Sequence, residues 1–311
     1  MKPLFAGIEA GGTKFVCAVG TGPDDLRAET RFPTTNPEET LNKAVDFFRN
    51  QEQKFGKIDA IGVAAFGPID PDPKSATYGY ITSTPKPGWK DCNLVGALQQ
   101  SFSVPIGFDT DVNVAAYGEW RFGAGRGKNL VLYMTIGTGV GGGVVVNGEM
   151  LHGLIHPEIG HMLLPQDKSR DPFEGNCPFH GNCLEGLASG PAIHKRWGVP
   201  AEELPTDHPA WALEAEYLST AVANLICILS PQIIILGGGV LSSKVLFPLI
   251  RNRVEIVLNG YVQTRHLADH FEHYIVPPFL GNRAGVVGSL ALAEKIYLAN
   301  PSGKLYPIRS R

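Results

Sequence analysis

Two glycine-rich segments, each lying between short runs of β-branched and apolar residues, constrain the fold of this chain most strongly. The first is GIEAGGTK at residues 7–14, and the second is TIGTGVGGGVVV at residues 135–146. Each pattern predicts two strands joined by a glycine turn, and each is followed by alternating helix and strand patterns. Because the same order occurs twice, the sequence predicts an α/β fold with two similar halves and a boundary near residues 115–125.

The elements expected after each hairpin follow from hydrophobic periodicity and from cap and turn residues. In the first half we predict helices over 36–55, 93–102 and 112–123, strands over 58–65 and 104–110, and a surface loop over 68–89. In the second half we predict a mostly irregular segment after the hairpin, then helices over 209–229, 244–258 and 284–299 and strands over 232–239 and 273–279.

Charge and composition exclude several classes of protein. The net charge is −3, so the basic footprint of a nucleic-acid-binding protein is missing. The longest apolar region, residues 225–241, is interrupted by Ser230-Pro231 and by three glycines, and we therefore expect no membrane span. The first residues do not have the pattern of a signal peptide. Five sparse cysteines indicate a reducing compartment, and we expect the cytoplasm.

The first glycine turn is a candidate phosphate site. Adjacent glycines at Gly11 and Gly12 leave backbone N–H groups able to face an anion, and Thr13 and Lys14 follow with further donors. Glu9 ends the preceding strand, where a carboxylate is useful if Mg²⁺ lies between it and the phosphates, directly or through water. The alternative is an ordinary glycine turn with an exposed glutamate.

The second turn contains G-x-G-x-x-G but in the wrong context for a dinucleotide site. That fingerprint requires a strand, a turn and then a helix, whereas β-branched residues follow these glycines. We interpret Gly137, Thr138 and Gly139 as a second phosphate loop, so that a polyphosphate is held from both sides of a cleft. Gly237–Gly239 follow a later strand and bring backbone close to a flat ring such as adenine, or form an ordinary strand-to-helix turn.

Asp111 stands where a predicted strand ends and a predicted helix begins. One interpretation is a helix N-cap, for which Asp is a favoured residue. The other is a general base that accepts a hydroxyl proton during phosphoryl transfer. The two roles are compatible.

Four side chains have the types and spacing of a metal site: His161, Cys177, His180 and Cys183. Four N/S ligands close a tetrahedral zinc site and leave no position for water, so this zinc is expected to be structural. The alternative is free cysteines and surface histidines. We expect the remaining His152, His156 and His194 to have loop and surface roles.

Taken in order, the motifs GIEAGGTK, TDVNVAAYGE, TIGTGVGGG, HPEIGH, CPFHGNCLEG and LGGG resemble those of the ROK family of sugar kinases and sugar-responsive repressors, over about residues 5–295. The resemblance implies the actin/hexokinase/Hsp70-type ATPase fold, in which two ribonuclease H-like α/β domains close on a nucleotide. It further implies a small domain at 1–117, joined by a returning C-terminal helix at about 286–311, and a large domain with the zinc loop at 118–285.

The resemblance also implies roles for individual residues. Asp111 matches the catalytic base of the family, and Glu158, His161 and Glu185 match residues that bind sugar hydroxyls. The zinc would then hold Glu158 and Glu185 in place, while His161 binds zinc through one ring nitrogen and donates from the other. Gly67-Pro68 or Trp89 is expected to line the sugar pocket.

Three departures from the commonest family pattern narrow the resemblance. This chain has Glu9 in place of Asp, Thr110 in place of Asn beside the base, and His180 in place of a cysteine. These forms resemble the bacterial fructokinase branch, which implies transfer of phosphate from MgATP to the 6-hydroxyl of D-fructose, with Thr110 at the sugar. The departure at Thr110 argues against transferring glucose-specific contacts.

Other readings stay open at this point. A glucokinase, a mannokinase and an N-acylhexosamine kinase are alternatives within the family, and a non-catalytic sugar-binding protein is an alternative outside kinase chemistry. A sugar-sensing repressor would carry a DNA-binding helix-turn-helix before the first phosphate loop, and we do not expect one here. The family resemblance further implies a homodimer.

Overall fold

The computed structural model describes residues 2–262 and 271–300, and the chain divides into two units. Unit 1 comprises Met1–Arg126, Gly148–His156 and Asn282–Arg311; unit 2 comprises Gly127–Asn147 and Pro157–Gly281. A boundary at residue 117 would cut the helix Asp111–Phe122, which lies whole in unit 1. The last part of the expected returning helix, 301–311, lies outside the described residues.

Unit 1 is built on a five-stranded sheet with helices packed against it. The five strands of this sheet are β1 (Phe5–Ala10), β2 (Lys14–Gly22), β3 (Asp25–Pro33), β4 (Ala60–Ala65) and β7 (Ile106–Thr110). Unit 1 also contains the two-residue strands β5 (Tyr80–Ile81), β6 (Cys92–Asn93) and β10 (Glu149–Met150). Its helices are α1 (Pro37–Phe55), α2 (Leu94–Gln99), α3 (Asp111–Phe122) and α9 (Ala284–Ala299). The sheet order is β3-β2-β1-β4-β7, with β1 antiparallel to β2 and parallel to β4, and β4 parallel to β7.

The three parallel strands of unit 1 end at the same edge of the sheet. Ala10 of β1 is in register with Ala65 of β4, and Ala65 is in register with Thr110 of β7. Residues that follow these positions therefore emerge side by side at the carboxyl edge, where α/β sheets bind ligands.

Helix α9 approaches the sheet and helix α3 so closely that several contacts require glycine. A Cβ atom at Gly62 of β4 would overlap the backbone of Ser289, and a Cβ atom at Gly288 would overlap the backbone of Val114 in α3. The Ser289 hydroxyl donates to the Ile8 carbonyl oxygen of β1 at 2.9 Å. The C-terminal helix is thus a central part of the unit that contains the N-terminal strands.

Unit 2 repeats the arrangement of the first. Its strands are β8 (Leu130–Ile136), β9 (Val140–Val146), β11 (Ile233–Gly237) and β12 (Ile275–Val276). Its helices are α4 (Leu184–Ala188), α5 (Gly190–Trp197), α6 (Ala210–Leu229), α7 (Leu246–Leu258) and α8 (Phe271–Tyr274). These strands lie in the order β9-β8-β11-β12, with β8 antiparallel to β9, and with β11 parallel to both β8 and β12.

Helix α6 meets the length and composition criteria for a membrane span, with a mean hydropathy of 1.4 over its most apolar window. However, 56% of that window is buried inside the protein. Its buried side chains include Trp211, Leu218 and Val222, which belong to the core of unit 2. Such burial is typical of a core helix.

Three of the differences between the structure and the sequence-based elements have a clear physical reason. Strand β3 was not expected, because its outward side chains are polar and only its pairing with β2 identifies it as an edge strand. The strand predicted over 273–279 is present but shorter: β12 covers Ile275–Val276, because residues 271–274 form α8 and Pro277-Pro278 cannot donate to a ladder. The segment expected to be irregular contains α4 and α5, with Gly190-Pro191 opening α5.

The close crossing of α3 and α9 generates a prediction for stability. Gly288→Ala should gain about 0.5–1 kcal/mol from helix propensity but lose more, roughly 1–3 kcal/mol, because the added methyl group overlaps the Val114 backbone. We expect a net decrease in the free energy of unfolding, measured by equilibrium urea denaturation. Leu298→Ala, at an exposed position on the same helix, is the control and should stay within about 0.5 kcal/mol of the wild type. A more stable Gly288→Ala variant would contradict the packing described.

Candidate functional site

The first glycine turn lies at the carboxyl edge of β1. The Gly11 N–H donates to the Lys14 carbonyl oxygen at 3.0 Å, and the Thr34 hydroxyl donates to the Gly11 carbonyl oxygen at 2.6 Å. The tight turn leaves no room for a Cβ atom at Gly11, whereas the space around Gly12 is open. The exposed Thr13 and Lys14 border this open backbone, which can therefore accept an anion.

Glu9 lies beside this turn and is partly buried, in contrast to the exposed glutamate of the alternative interpretation. Its side chain is packed against Gly285, where a Cβ atom would lie 2.6 Å from the Glu9 Cδ atom. Burial raises the pKa of the Glu9 carboxyl, while the charges of Lys14 and Arg31 and a backbone hydrogen bond from Val286 oppose the increase. Within the described residues, Glu9 Oε2 is buried without a hydrogen-bond partner, which fits a carboxylate that binds a cation or its water.

Asp111 is the first residue of α3, and the N-cap of that helix is Thr110. The Thr110 hydroxyl accepts from the Asn113 N–H at 3.1 Å, while Asp111 Oδ1 accepts from the Val112 N–H at 2.9 Å. The capping interpretation of Asp111 is therefore wrong, because the residue before it supplies the cap. The Asp111 carboxylate remains at the carboxyl edge of the sheet, one position beyond Thr110.

Gly67-Pro68 follows β4 at the same edge, and its peptide bond is cis. Trp89, the other residue considered for the sugar pocket, is fully buried and packs against Phe15 and Phe66. Its indole N–H donates to the Thr35 carbonyl oxygen at 2.8 Å. Trp89 is therefore a core residue, and Gly67-Pro68 is the remaining candidate at this edge.

In unit 2 the second glycine turn meets two other backbone segments. The Gly190 N–H, at the start of α5, donates to the Gly137 carbonyl oxygen at 2.8 Å. A Cβ atom at Gly137 would lie 3.9 Å from the Gly239 nitrogen, and one at Gly238 would overlap the backbone of Ile136. The turn Gly137–Gly139 and the turn Gly237–Gly239 thus lie next to each other, as two parts of one nucleotide site require. Thr138 lies within the first of these turns.

The candidate sugar residues of unit 2 gather around Val140. Glu185 Oε2 accepts from the Val140 N–H at 3.0 Å. The turn that carries Glu158 and His161 packs on the same residue, because a Cβ atom at Gly160 would overlap the Val140 carbonyl group. The His161 N–H donates to the Glu158 carbonyl oxygen at 3.0 Å. The structure therefore brings Glu158, His161 and Glu185 together, next to the second glycine turn.

His161, Cys177, His180 and Cys183 form a compact cluster whose ligand atoms all lie within 4.8 Å of one another. Cys177 Sγ is 3.7 Å from both His161 Nδ1 and His180 Nδ1, and Cys183 Sγ is 3.5 Å from His161 Nδ1. A tetrahedral zinc with bonds of about 2.0–2.3 Å has edges of roughly 3.3–3.8 Å. The donor types and separations fit a metal ion bound through both Nδ1 atoms.

The loop that carries the cluster has little regular structure to hold it. Cys177 and Gly181 exchange two backbone hydrogen bonds in a tight turn, and Gly175 and Gly186 both pack against the Gly181 carbonyl group. Burial raises the pKa of the Cys183 thiol to about 11. A bound dication would offset the cost of ionising this buried thiol, because coordination keeps a cysteine deprotonated.

Two histidines that we expected on the surface have defined contacts in unit 1. His152 Nε2 lies 2.9 Å from Asp109 Oδ2, and His156 is buried with only 6% of its surface exposed. The signal that could have identified His152 is Asp109 itself, since a carboxylate in a buried strand requires a partner. The sequence does not reveal which residue that partner is. His194 is exposed, as expected.

Comparison with known proteins places this geometry in context. The family model described as the ROK family matches residues 5–296. A fructokinase of Pediococcus pentosaceus is 45% identical over 291 residues, covering 94% of this chain and 98% of the relative. A fructokinase of Lactococcus lactis subsp. cremoris is 41% identical over 298 residues, covering 96% and 99%.

Among solved structures, the ROK hexokinase from Thermus thermophilus superimposes with a TM-score of 0.77 at 26% identity. The alignment covers 96% of this chain and all of that one. The fold prediction is confirmed, since the similarity extends over both units and not over a single motif.

Proposed function

We propose that this chain, which belongs to the ROK family, transfers the γ-phosphoryl group of ATP to the 6-hydroxyl of D-fructose. The relatives named fructokinase are 41–45% identical over nearly the whole chain, and the hexokinase structure is 26% identical. These values support fructose ahead of glucose, mannose or an N-acylhexosamine. Fructose 6-phosphate and ADP are the expected products.

The observation that carries the proposal is the register of the parallel strands in unit 1. Ala10, Ala65 and Thr110 are aligned across β1, β4 and β7. The first phosphate loop, Gly67-Pro68 and Asp111 follow these strands, so their backbones emerge at one edge. An anion-binding turn beside a carboxylate is the pair that phosphoryl transfer requires: one part holds the phosphate and the other accepts the hydroxyl proton.

Asp111 is the proposed general base. In this role it accepts the proton of the sugar 6-hydroxyl as the oxygen attacks the γ-phosphorus. Its Oδ1 accepts from the Val112 N–H, a bond that orients the carboxylate. Thr110 would contribute its hydroxyl to the sugar from a buried position.

Phosphate binding is assigned to backbone groups with a few side chains. In unit 1 the residues are Gly11, Gly12, Thr13 and Lys14, and in unit 2 they are Gly137, Thr138 and Gly139, with Gly237–Gly239 next to the adenine. Main-chain N–H groups are suited to this task, because they are fixed before the substrate arrives and need no reorganisation as charge develops.

Glu9 is the proposed protein group for Mg²⁺, through water. When bound, the dication would neutralise the charge that develops on the phosphates during transfer. The burial of Glu9 and its unpartnered oxygen, in the described part of the chain, support this role.

The unit 2 residues Glu158, His161 and Glu185 are proposed to bind sugar hydroxyls. The cluster of His161, Cys177, His180 and Cys183 is proposed to hold a structural zinc ion. Because all four positions are filled by protein ligands, this ion fixes the loop and takes no part in the reaction. With Nδ1 on the metal, the Nε2–H of His161 is the donor left to face the sugar.

Two further expectations remain part of the proposal. We infer a homodimer from the family resemblance, and we infer a cytoplasmic location from the sparse cysteines and the intracellular substrate ATP. Neither nucleic acid nor a membrane is expected as a partner.

The substrate assignment is tested by ADP release from MgATP with fructose, glucose, mannose and N-acetylmannosamine, alongside a reaction without sugar. We expect fructose to give the highest kcat/KM by at least about 10-fold, the discrimination that a few pocket contacts provide. A different preferred hexose would overturn the assignment to fructose but keep the kinase. Folded protein that releases no ADP with any sugar would overturn the proposed function.

Removing the proposed base should abolish most turnover without removing sugar binding. Asp111→Asn retains an oxygen that can accept from the Val112 N–H but cannot take a proton. We expect kcat to fall by at least ~100-fold with little change in the affinity for fructose. Asp91→Asn, at an exposed position of the same unit, is the matched control and should keep full activity. An Asp111→Asn variant within a few-fold of the wild type would exclude Asp111 as the base.

The zinc proposal is tested by elemental analysis of protein purified without added metal. We expect about one zinc ion per chain, since a closed site with two thiolates binds zinc tightly. Cys177→Ser should reduce the zinc content and the thermal stability, whereas Cys227→Ser, at an exposed position outside the cluster, should change neither. Less than about a tenth of an equivalent of zinc in the wild-type protein would contradict the assignment.

A further inference from the structure

Asp109 is a buried carboxylate two residues before the proposed base. It lies on β7 and is only 2% exposed. Its Oδ1 atom accepts from the Thr110 N–H at 2.8 Å and from the side-chain amide of Asn113 at 2.9 Å. These bonds tie the carboxylate to the first turn of α3, on which Asp111 is mounted.

The other oxygen of Asp109 is bound by a residue from a distant part of the sequence. His152 Nε2 lies 2.9 Å from Asp109 Oδ2. The His152 side chain is 36% exposed, in contrast to 3% for that of Asp109. The imidazole can thus exchange protons with solvent. The Asp109 carboxylate is buried, so solvent water cannot replace the imidazole as its partner.

The segment that carries His152 is fixed on both sides of this contact. Before it, Lys295 Nζ of α9 donates to the Gly148 carbonyl oxygen at 3.1 Å and pairs with the Glu149 carboxylate. After it, the buried His156 ring lies against Gly67, where a Cβ atom would be 3.7 Å from His156 Cε1. His152 is therefore presented to Asp109 by an anchored segment.

We propose that His152, as an imidazolium ion paired with Asp109, is a positioning residue for Asp111. It acts by holding the Asp109 carboxylate against the Thr110 N–H and the Asn113 amide. It does not touch substrate. The inference rests on the proposed function, because it assumes that Asp111 is the base.

The mechanism of positioning follows from the hydrogen bonds. Asp109 bonds to Thr110 and Asn113, and the Thr110 hydroxyl in turn accepts from the Asn113 N–H. These three residues define where α3 begins. If the imidazolium loses a proton to solvent, the neutral ring can still donate from Nε2. The charge that offsets the burial of the Asp109 carboxylate is lost, however, and the backbone that fixes Asp111 is held less firmly.

The charges around His152 give the direction of its pH dependence. The hydrogen bond to Asp109 is the largest cause of a raised pKa of His152; burial opposes it, Glu149 adds to it and the Lys295 charge lowers it. Because the folded-state pKa is raised, the ion pair is present at low pH and is lost as pH rises through that value. The ion pair is therefore lost above about pH 6.5, the ordinary pKa of a histidine side chain.

The test compares pH profiles of kcat for the wild type, His152→Gln, His152→Ala and the control His194→Gln, an exposed histidine of unit 2. Gln places an amide nitrogen near the Nε2 position but carries no charge. We expect kcat of His152→Ala to be about 10-fold lower, within the ~100-fold cost of a 1 Å misplacement, with KM for ATP unchanged. The wild-type kcat should decrease as pH rises above the range in which histidine titrates. In His152→Gln this decrease should be missing.

A second readout separates this inference from the proposed function. In NMR spectra of the wild type, the backbone amides of Thr110, Asp111 and Val112 should titrate together with the His152 ring, and in His152→Gln they should not. If the wild type phosphorylates no sugar, the proposed function fails and the NMR titration alone decides the positioning. The inference is overturned by amides that do not follow His152, by variants with the wild-type profile, or by an alkaline decrease that persists in His152→Gln.

Discussion

The approach of helix α9 to the sheet and to helix α3 determines the geometry of unit 1. Glycines at the contact points let backbone meet backbone: Gly62 against Ser289, and Gly288 against Val114. One side of α9 thereby fixes β1 and β4, whose carboxyl ends carry the first phosphate loop and Gly67-Pro68. Another side fixes α3, whose first residue is Asp111. The same helix offers the Val286 N–H to the buried carboxylate of Glu9. A change in this packing would therefore move the proposed base and the proposed magnesium residue at the same time.

Much of the fold could be predicted because its signals are local. The glycine turns between β-branched runs, and the Asn36 cap that begins α1, are visible in a few consecutive residues. Strand β3 was missed because an edge strand with alternating polar side chains acquires its identity from pairing with β2. The strand predicted over 273–279 was too long, because apolar residues alone do not distinguish a short helix from a strand and Pro277-Pro278 limits β12 to two residues.

In the candidate site, too, the features with local signals could be predicted and those that depend on distant pairing could not. The cluster of His161, Cys177, His180 and Cys183 could be predicted, since three of its members lie within seven residues and the donor types are those of zinc. The contact between His152 and Asp109 could not, because 43 positions separate them and the pairing depends on the path of a segment that returns to unit 1. Thr110, rather than Asp111, caps α3, a difference of one position that sequence patterns do not resolve.

The two units hold their candidate carboxylates by different physical means. In unit 1, Asp111 follows the parallel edge strand β7, and strand register and helix packing set its position. In unit 2, Glu158 and Glu185 lie on a short turn and a five-residue helix, joined by a loop with little packing of its own. There, Val140 supplies a backbone anchor, and the proposed metal ion in the His/Cys cluster would supply a cross-link. Such a cross-link is useful where regular structure ends, because four ligands from three short segments would replace the constraint that a β-ladder provides in unit 1. With the proposed metal bound, Glu158 and Glu185 should depend on it for their positions, whereas Asp111 depends on the core.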